Sequence, residues 1–296
     1  MTFTKEQGTK AIKSFKRGSA PGPDGLRAEH LKVAVKFAPP NRQDKATEAV
    51  TKLVNMMGAG AVPATVAPFL SGARLHAGLK KDGGIRPIAV GNILRRLTSK
   101  CFMRGVADRA AALLGPHQLG VGVRGGLEAI IHSMRHVVEE GKDDTMILQL
   151  DLINAFNCCD RDSAFSVVAD VFPDILKWVL TCYGSDAELI YGDTIIHSKT
   201  GFHQGDPLAS LLFSLTLQPI VDRIEQQVPT LLANEWYLDD GAVAGKLEEL
   251  QRVVDIVLEL GPARGLILST AANCHRPKST VWYPTATAAQ LTNQED

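Results

Sequence analysis

The sequence predicts an α+β domain, and three observations predict it. Two runs, residues 231–237 and 241–244, flank Tyr237-Leu238-Asp239-Asp240 and read as a β-hairpin with its tight turn at two adjacent carboxylates. Met146-Ile147-Leu148-Gln149-Leu150 is an apolar run of strand length and reads as a strand buried on both faces. Stretches such as residues 42–57 and 246–260 repeat their apolar positions every three to four residues and read as amphipathic helices.

The remaining elements follow in chain order. Thr4-Lys5-Glu6-Gln7 has the form of a capping box and opens a short helix that includes Ala11, Ile12 and Phe15. Residues 19–26 are rich in glycine and proline, and Pro23-Asp24-Gly25 is a strong turn former. The helix over residues 42–57 is apolar at Val50, Leu53, Val54 and Met57. Residues 75–80 and 85–90 then form a hairpin around Lys81-Asp82-Gly83-Gly84, with Lys80, Lys81 and Arg86 near its tip.

Ile93 to Leu114 reads as a helix whose Arg96, Lys100 and Arg104 share one face, either along a nucleic-acid backbone or in water. A glycine-rich segment, residues 120–126, precedes a helix over 127–139. Residues 162–183 are helical with a break at Pro173, and residues 187–191 and 194–197 pair across Gly192-Asp193. Gln204-Gly205-Asp206-Pro207 leads into a helix ending near Gln227: Gly205 permits close backbone approach, Asp206 caps, and Pro207 fits the first turn. The helix over 246–260 stops at Gly261.

A chain of 296 residues with 45% hydrophobic content can bury a sizeable core. Its 32 basic and 32 acidic residues cancel, which excludes a strongly basic nucleic-acid-binding module. The charge is nonetheless divided along the chain. Arg74, Lys80, Lys81, Arg86, Arg95, Arg96, Lys100, Arg104 and Arg109 are set against only Asp82 and Asp108 in their segment, whereas residues 235–259 hold seven acids against Lys246 and Arg252. That division suits one region that grips phosphates and another that holds cations. Five cysteines show neither zinc spacing nor a disulfide framework, Cys158 and Cys159 being read as packing residues, and an intracellular chain is expected. Asn273, Cys274 and His275 offer too few ligands for a metal site, and no membrane-spanning run is present.

The acids carry the chemistry. An Asp-Asp turn alone reads as a solvated acidic loop; a third acid, Asp151, at the end of the 146–150 strand changes that. If this strand lies beside the hairpin, Asp151, Asp239 and Asp240 converge, and their repulsion calls for divalent cations bound through oxygen. Two Mg²⁺ ions, with Mn²⁺ as a substitute, would clamp an attacking 3′-hydroxyl and a leaving pyrophosphate.

Asp151-Leu152-Ile153-Asn154-Ala155-Phe156, Gln204-Gly205-Asp206-Pro207-Leu208 and Tyr237-Leu238-Asp239-Asp240 resemble, in order, the three central palm motifs of reverse transcriptases. Ala20-Pro21-Gly22-Pro23-Asp24-Gly25 and Lys80-Lys81-Asp82-Gly83-Gly84-Ile85-Arg86-Pro87 resemble fingers motifs of the non-LTR retrotransposon and group II intron branch. The resemblance covers about residues 19–283.

It implies a right-hand polymerase: fingers over residues 1–110, a palm with an antiparallel sheet flanked by helices over 111–285, and a polar tail over 286–296 that leaves no length for a thumb or an endonuclease. It implies RNA-directed DNA synthesis from a primer 3′-end by a retrotransposon-derived enzyme, with an RNA template, a nucleic-acid primer and deoxynucleoside triphosphates as partners and a nuclear location. Asp151, Asp239 and Asp240 would be catalytic and metal-binding. Arg86, Lys80 and Lys81 would hold the triphosphate, Phe156 would exclude a 2′-hydroxyl, Gln204 and Gly205 would contact the nucleotide, and Lys278, reached after an extended stretch over 269–277, would meet the pyrophosphate. His203 is read as incidental. Three alternatives compete: an RNA polymerase of the same fold, against which Phe156 speaks; a two-metal nuclease; and a catalytically silent nucleic-acid-binding remnant.

Overall fold

The structure, a computed structural model, describes residues 1–37, 40–80, 83–141 and 144–283. Lys81, Asp82 and the tail over 286–296 lie outside the described residues. In chain order the elements are α1 (Lys5–Lys13), α2 (Ala28–Phe37), α3 (Pro40–Gly58), α4 (Ala67–Ser71), β1 (Ala73–Leu79), β2 (Ile85–Gly91), α5 (Ile93–Leu114) and α6 (Gly126–Glu140). There follow β3 (Met146–Leu150), α7 (Ala155–Cys158), α8 (Arg161–Val171), α9 (Pro173–Tyr183), β4 (Ala187–Tyr191), β5 (Thr194–Ser198), α10 (Ala209–Gln227), β6 (Ala233–Tyr237), β7 (Asp240–Gly245), α11 (Leu247–Leu260) and β8 (Thr280–Trp282). The mixture of helices and antiparallel pairs is the expected α+β class.

The chain divides into two compact units. The first comprises Met1–Val106 and Arg161–Leu212, and the second comprises Ala107–Asp160 with the described part of Phe213–Asp296.

In the first unit the capping box forms as read: Gln7 N donates to Thr4 Oγ1 at 3.3 Å and Thr4 N donates to Gln7 Oε1 at 2.9 Å. The helix ends at Lys13, so Phe15 packs beyond it rather than on it. The core is aromatic: Phe102 meets Phe3 edge-on at 5.0 Å and lies nearly parallel to Trp178 at 6.5 Å. The sheet order is β2-β1-β4-β5. β1 and β2 pair antiparallel from Ala73↔Gly91 to Leu79↔Ile85, and β4 joins β1 in parallel through Ala73↔Leu189. The α5 cations that the sequence left open are partly structural. Arg96 donates to Ala20 O at 2.8 Å, and Arg96 and Lys100 both lie over the Phe15 ring. Burial, then the nearby Arg104 and Arg96, lowers the Lys100 pKa.

The second unit carries an antiparallel sheet of order β6-β7-β3-β8. Pairing runs from Ala233↔Ala244 to Tyr237↔Asp240 between β6 and β7, and from Met146↔Gly245 to Leu150↔Gly241 between β3 and β7. Val137 of α6, Ala233 and Ala244 form a buried cluster against which Met134 and Ile147 pack.

Four expectations need correction. β3 is not buried on both faces: Met146, Leu148 and Leu150 are buried, but on the other face Ile147, which packs on the Val137 cluster, is half-buried and Gln149 is exposed. Helix α10 begins at Ala209, so Pro207 lies in the turn before it and not in its first turn. Cys159 is buried but Cys158 is exposed, so only one of the two packs. Helices α2 and α4 were not anticipated; α4 has five residues, too few to display a helical period.

Candidate active site

The three acids gather at one end of the second unit's sheet. The register reaches Leu150↔Gly241 between β3 and β7, so the next residues along the two strands are Asp151 and Asp240. Tyr237 pairs with Asp240, leaving Leu238 and Asp239 as a two-residue loop. Asp151 and Asp239 are half-buried and Asp240 is exposed.

The chain holds this end of the sheet by its backbone. Asp151 N donates to Ser279 Oγ at 3.1 Å, Ser279 Oγ donates to Asp151 O at 3.3 Å, and Ser269 N donates to Asp151 O at 2.8 Å. Lys278 is thereby held near the Asp151 backbone: it is exposed, precedes Ser279, and donates its N–H to Ser269 Oγ at 3.2 Å. The stretch that delays it is closed by Asn273, whose Oδ1 accepts from Thr270 N at 3.0 Å and whose Nδ2 donates to Leu268 O at 2.9 Å. Asn273 thus serves as a structural clasp.

Phe156 sits in the short α7, directly after this strand. Its ring stacks on Phe213 of α10 with centroids 4.5 Å apart and planes 17° from parallel. Phe213 is fully buried, so the half-buried Phe156 ring has a fixed floor.

Carboxylate oxygens suit a hard cation, and Mg²⁺ in particular takes one or two carboxylates and completes its shell with water and substrate phosphate. Among the described residues no group of three or more His, Cys, Asp or Glu side chains is gathered closely enough to hold a metal ion. One or two of these carboxylates would suffice for an ion that takes its remaining ligands from water and substrate.

The other anticipated residues belong to the first unit. Arg86 is exposed on β2 opposite Gly78, and Lys80, half-buried, follows β1 with its N–H donated to Gly84 O at 2.8 Å. Gln204 is exposed and Gly205 half-buried in the loop before α10. A Cβ at Gly205 would fall 2.3 Å from Ala89 O, so the loop lies directly on β2, and only glycine permits that approach. Ala89 is three residues from Arg86, about 10 Å along the strand. Arg86 and Lys80 thus belong to the same hairpin that Gly205 touches, with Lys80 the farther along it, past the Leu79↔Ile85 pair.

What fixes the Gln204-Gly205 loop is a buried polar cluster that the sequence did not reveal. Arg95, 1% exposed, places Nε 3.1 Å and Nη2 3.0 Å from Asp206 Oδ2 and also donates to Ser71 O. Tyr183 Oη donates to the same oxygen at 3.1 Å, while Asp206 Oδ1 accepts from Leu208 N at 3.0 Å. Burial opposes the Arg95 charge, but Cys182, Tyr183 and Asp206 more than offset it and raise the guanidinium pKa. Burial pushes the Cys182 thiol up to about 12 and the Tyr183 phenol well above its ordinary value. His203 packs against this cluster, its ring edge-on to Tyr183 at 5.4 Å. Burial, with Arg95 and Arg161 adding to it, pushes its pKa well below the ordinary imidazole value, and its Nε2 lies 3.3 Å from Ser198 Oγ.

Sequence reasoning also missed Phe213 and Gln118. Phe213 looks like any core residue of an apolar helix. Gln118 carries a faint signal, a polar residue just before a glycine-rich segment.

A family model described as "Reverse transcriptase (RNA-dependent DNA polymerase)" matches residues 79–272, more than half of the chain. No curated protein matched the sequence. No helix among the described residues is long and apolar enough to cross a membrane.

Proposed function

The chain belongs to the reverse transcriptase (RNA-dependent DNA polymerase) family, and from that premise we propose that it extends a primer 3′-end with deoxynucleotides on an RNA template, using Asp151, Asp239 and Asp240 as its metal-binding centre. One observation carries this assignment: the β3–β7 register brings Asp151 level with Asp240, beside the loop that holds Asp239.

The three carboxylates would hold two Mg²⁺ ions, which when bound supply Lewis acidity to the attacking hydroxyl and the leaving pyrophosphate. Strand pairing sets the backbone positions of Asp151 and Asp240, and the two-residue loop sets that of Asp239. Phe156, on its Phe213 floor, would close the space a 2′-hydroxyl needs and so select deoxynucleotides. In the first unit, the Arg86 guanidinium and the Lys80 ammonium, with Lys81 beside it, would neutralise the triphosphate. Gln204 and Gly205 would border the nucleotide, and Lys278 would deliver a proton to the departing pyrophosphate.

We assign the fingers to residues 1–110 and the palm to 111–285. We further assign the chain to the non-LTR retrotransposon and group II intron branch, on the Pro21-Gly22-Pro23-Asp24-Gly25 loop and the residue 80–87 motif.

The test is primer extension on a short RNA template in Mg²⁺ or Mn²⁺, with deoxy- or ribonucleotides, comparing the intact protein with Asp239→Asn. Deoxynucleotide extension lost on substitution is the expected result. Extension that survives in Asp239→Asn would overturn the metal assignment, and extension by neither folded protein would overturn the polymerase assignment.

A further inference from the structure

The loop that carries Asp239 is gripped from outside its own hairpin. Leu238 has a φ of 58°, in the left-handed region that side chains with a Cβ disfavour. Two-residue hairpin loops commonly require positive φ, and glycine or asparagine usually provides it; here a leucine is held in that state.

The holder is Gln118, 1% exposed and 120 residues away in sequence. Its Oε1 accepts from Leu238 N at 2.8 Å, and its Nε2 donates to Leu238 O at 3.1 Å. One amide thus satisfies both backbone polar groups of a single residue. The same Oε1 accepts from Gly120 N at 3.0 Å, which fixes the amide's orientation. Its own backbone is anchored too. Leu119 N donates to Trp236 O and Trp236 N to His117 O, each at 2.7 Å, so residues 117–119 run as an extra rung along β6. There is no slack between the two segments, since a Cβ on Gly120 would fall 2.8 Å from Leu238 N and from the leucine side chain.

We propose that Gln118 is a positioning residue for the Asp239-Asp240 turn: by holding Leu238 left-handed, it sets the direction in which both carboxylates leave the hairpin. This rests on the assignment of those carboxylates as the metal-binding centre. Hydrogen bonds that orient metal ligands typically change metal affinity or activity by about 10- to 100-fold when removed. Loss of the amide releases the turn, so the cost falls on turnover and on the Mg²⁺ concentration required, whereas the KM for deoxynucleotide stays near that of the intact protein.

The experiment compares the full chain with Gln118→Met, which keeps the side-chain volume and removes all three hydrogen bonds, and with Gln118→Glu, which keeps an acceptor for Leu238 N–H and Gly120 N–H. Each is also made with Leu238→Gly, because glycine takes the left-handed conformation without the clamp. Three readouts are taken: primer-extension kcat and KM across a Mg²⁺ titration, hydrogen exchange at the Leu238 amide, and the thermal unfolding midpoint.

We expect Gln118→Met to lower kcat about 10- to 100-fold, raise the Mg²⁺ requirement, and expose the Leu238 amide to exchange. Gln118→Glu should lose less, and Leu238→Gly should recover part of the loss non-additively. Folded Gln118→Met with unchanged kcat and Mg²⁺ requirement overturns the proposal, as does a loss that appears wholly in KM. Should Gln118→Met unfold, Gln118→Glu carries the same criteria. If the intact protein extends no primer, the polymerase assignment fails by itself. The clamp is then judged by exchange, and an unchanged Leu238 amide in the Gln118 variants overturns it.

Discussion

The ring of Phe156 lies flat on that of Phe213, 4.5 Å between centroids and 17° from parallel. In the proposed role of excluding a 2′-hydroxyl, Phe156 must not yield to it, and a buried aromatic floor would supply that stiffness. Phe156→Val should raise ribonucleotide incorporation relative to deoxynucleotide by roughly 10- to 100-fold. Phe213→Leu leaves Phe156 in place but removes the ring stack, so it should relax the same preference by a smaller factor and cost about 1 kcal/mol of stability. Competing ribo- and deoxynucleotides in one primer-extension reaction measures both.

Asp239→Asn keeps the side chain's size and removes its charge. It should abolish extension while the thermal midpoint in chelator matches that of the intact protein or exceeds it, because one of two adjacent carboxylates has lost its charge. Adding Mg²⁺ should raise the midpoint of the intact protein more than that of the variant, since a ligand bound only by the folded state stabilises it by mass action. Equal Mg²⁺ shifts in both proteins would count against Asp239 as a ligand.

The Arg95–Asp206 pair is nearly inaccessible to solvent, with side chains 1% and 3% exposed. Breaking it from one side leaves a buried charge without its partner, so Arg95→Met should cost about 3–5 kcal/mol in urea unfolding. Arg95→Met combined with Asp206→Leu should cost less than Arg95→Met alone, because no orphan charge remains. A double variant as unstable as the sum of both single variants would refute this account.

His203 gives the first unit a defined acid sensitivity. Its pKa in the folded chain lies well below the ordinary 6.5, first through burial and then through Arg95 and Arg161. Below pH 6.5 the unfolded chain therefore binds a proton that the folded chain refuses, and stability falls as pH falls from that point towards the lowered pKa. At pH 7 and above, the contribution is fully present. His203→Gln should flatten the decline in thermal midpoint between about pH 6.5 and 5, and an unaltered slope would rule His203 out as its source.

Much of the scaffold of the candidate site was legible in the sequence. The Tyr237–Asp240 turn, the β3 strand, the β1–β2 hairpin and the full extent of α5 follow from patterns that repeat over a few residues, and each formed where those patterns placed it. Strand alternation, helical period and turn chemistry are short-range, so a reader of the sequence has all the terms. The errors over β3 and Cys158 arose where burial was involved. Whether Gln149 faces protein or water depends on what lies over β3, and nothing between residues 146 and 150 specifies that.

The sequence by itself determined the features on which the proposed chemistry rests: three aspartates, an aromatic residue after the first, and a cationic hairpin, in a chain that matches the reverse transcriptase family. Tertiary structure alone decided what holds those groups still. Gln118 meets Leu238 across 120 residues and Arg95 meets Asp206 across 111. Closing loops of that length costs an entropy that grows only slowly with their size, so contacts across them are affordable anywhere in the chain and leave no periodic mark in the sequence. The position of the acids is local information, whereas their rigidity exists only once the distant segments have folded together.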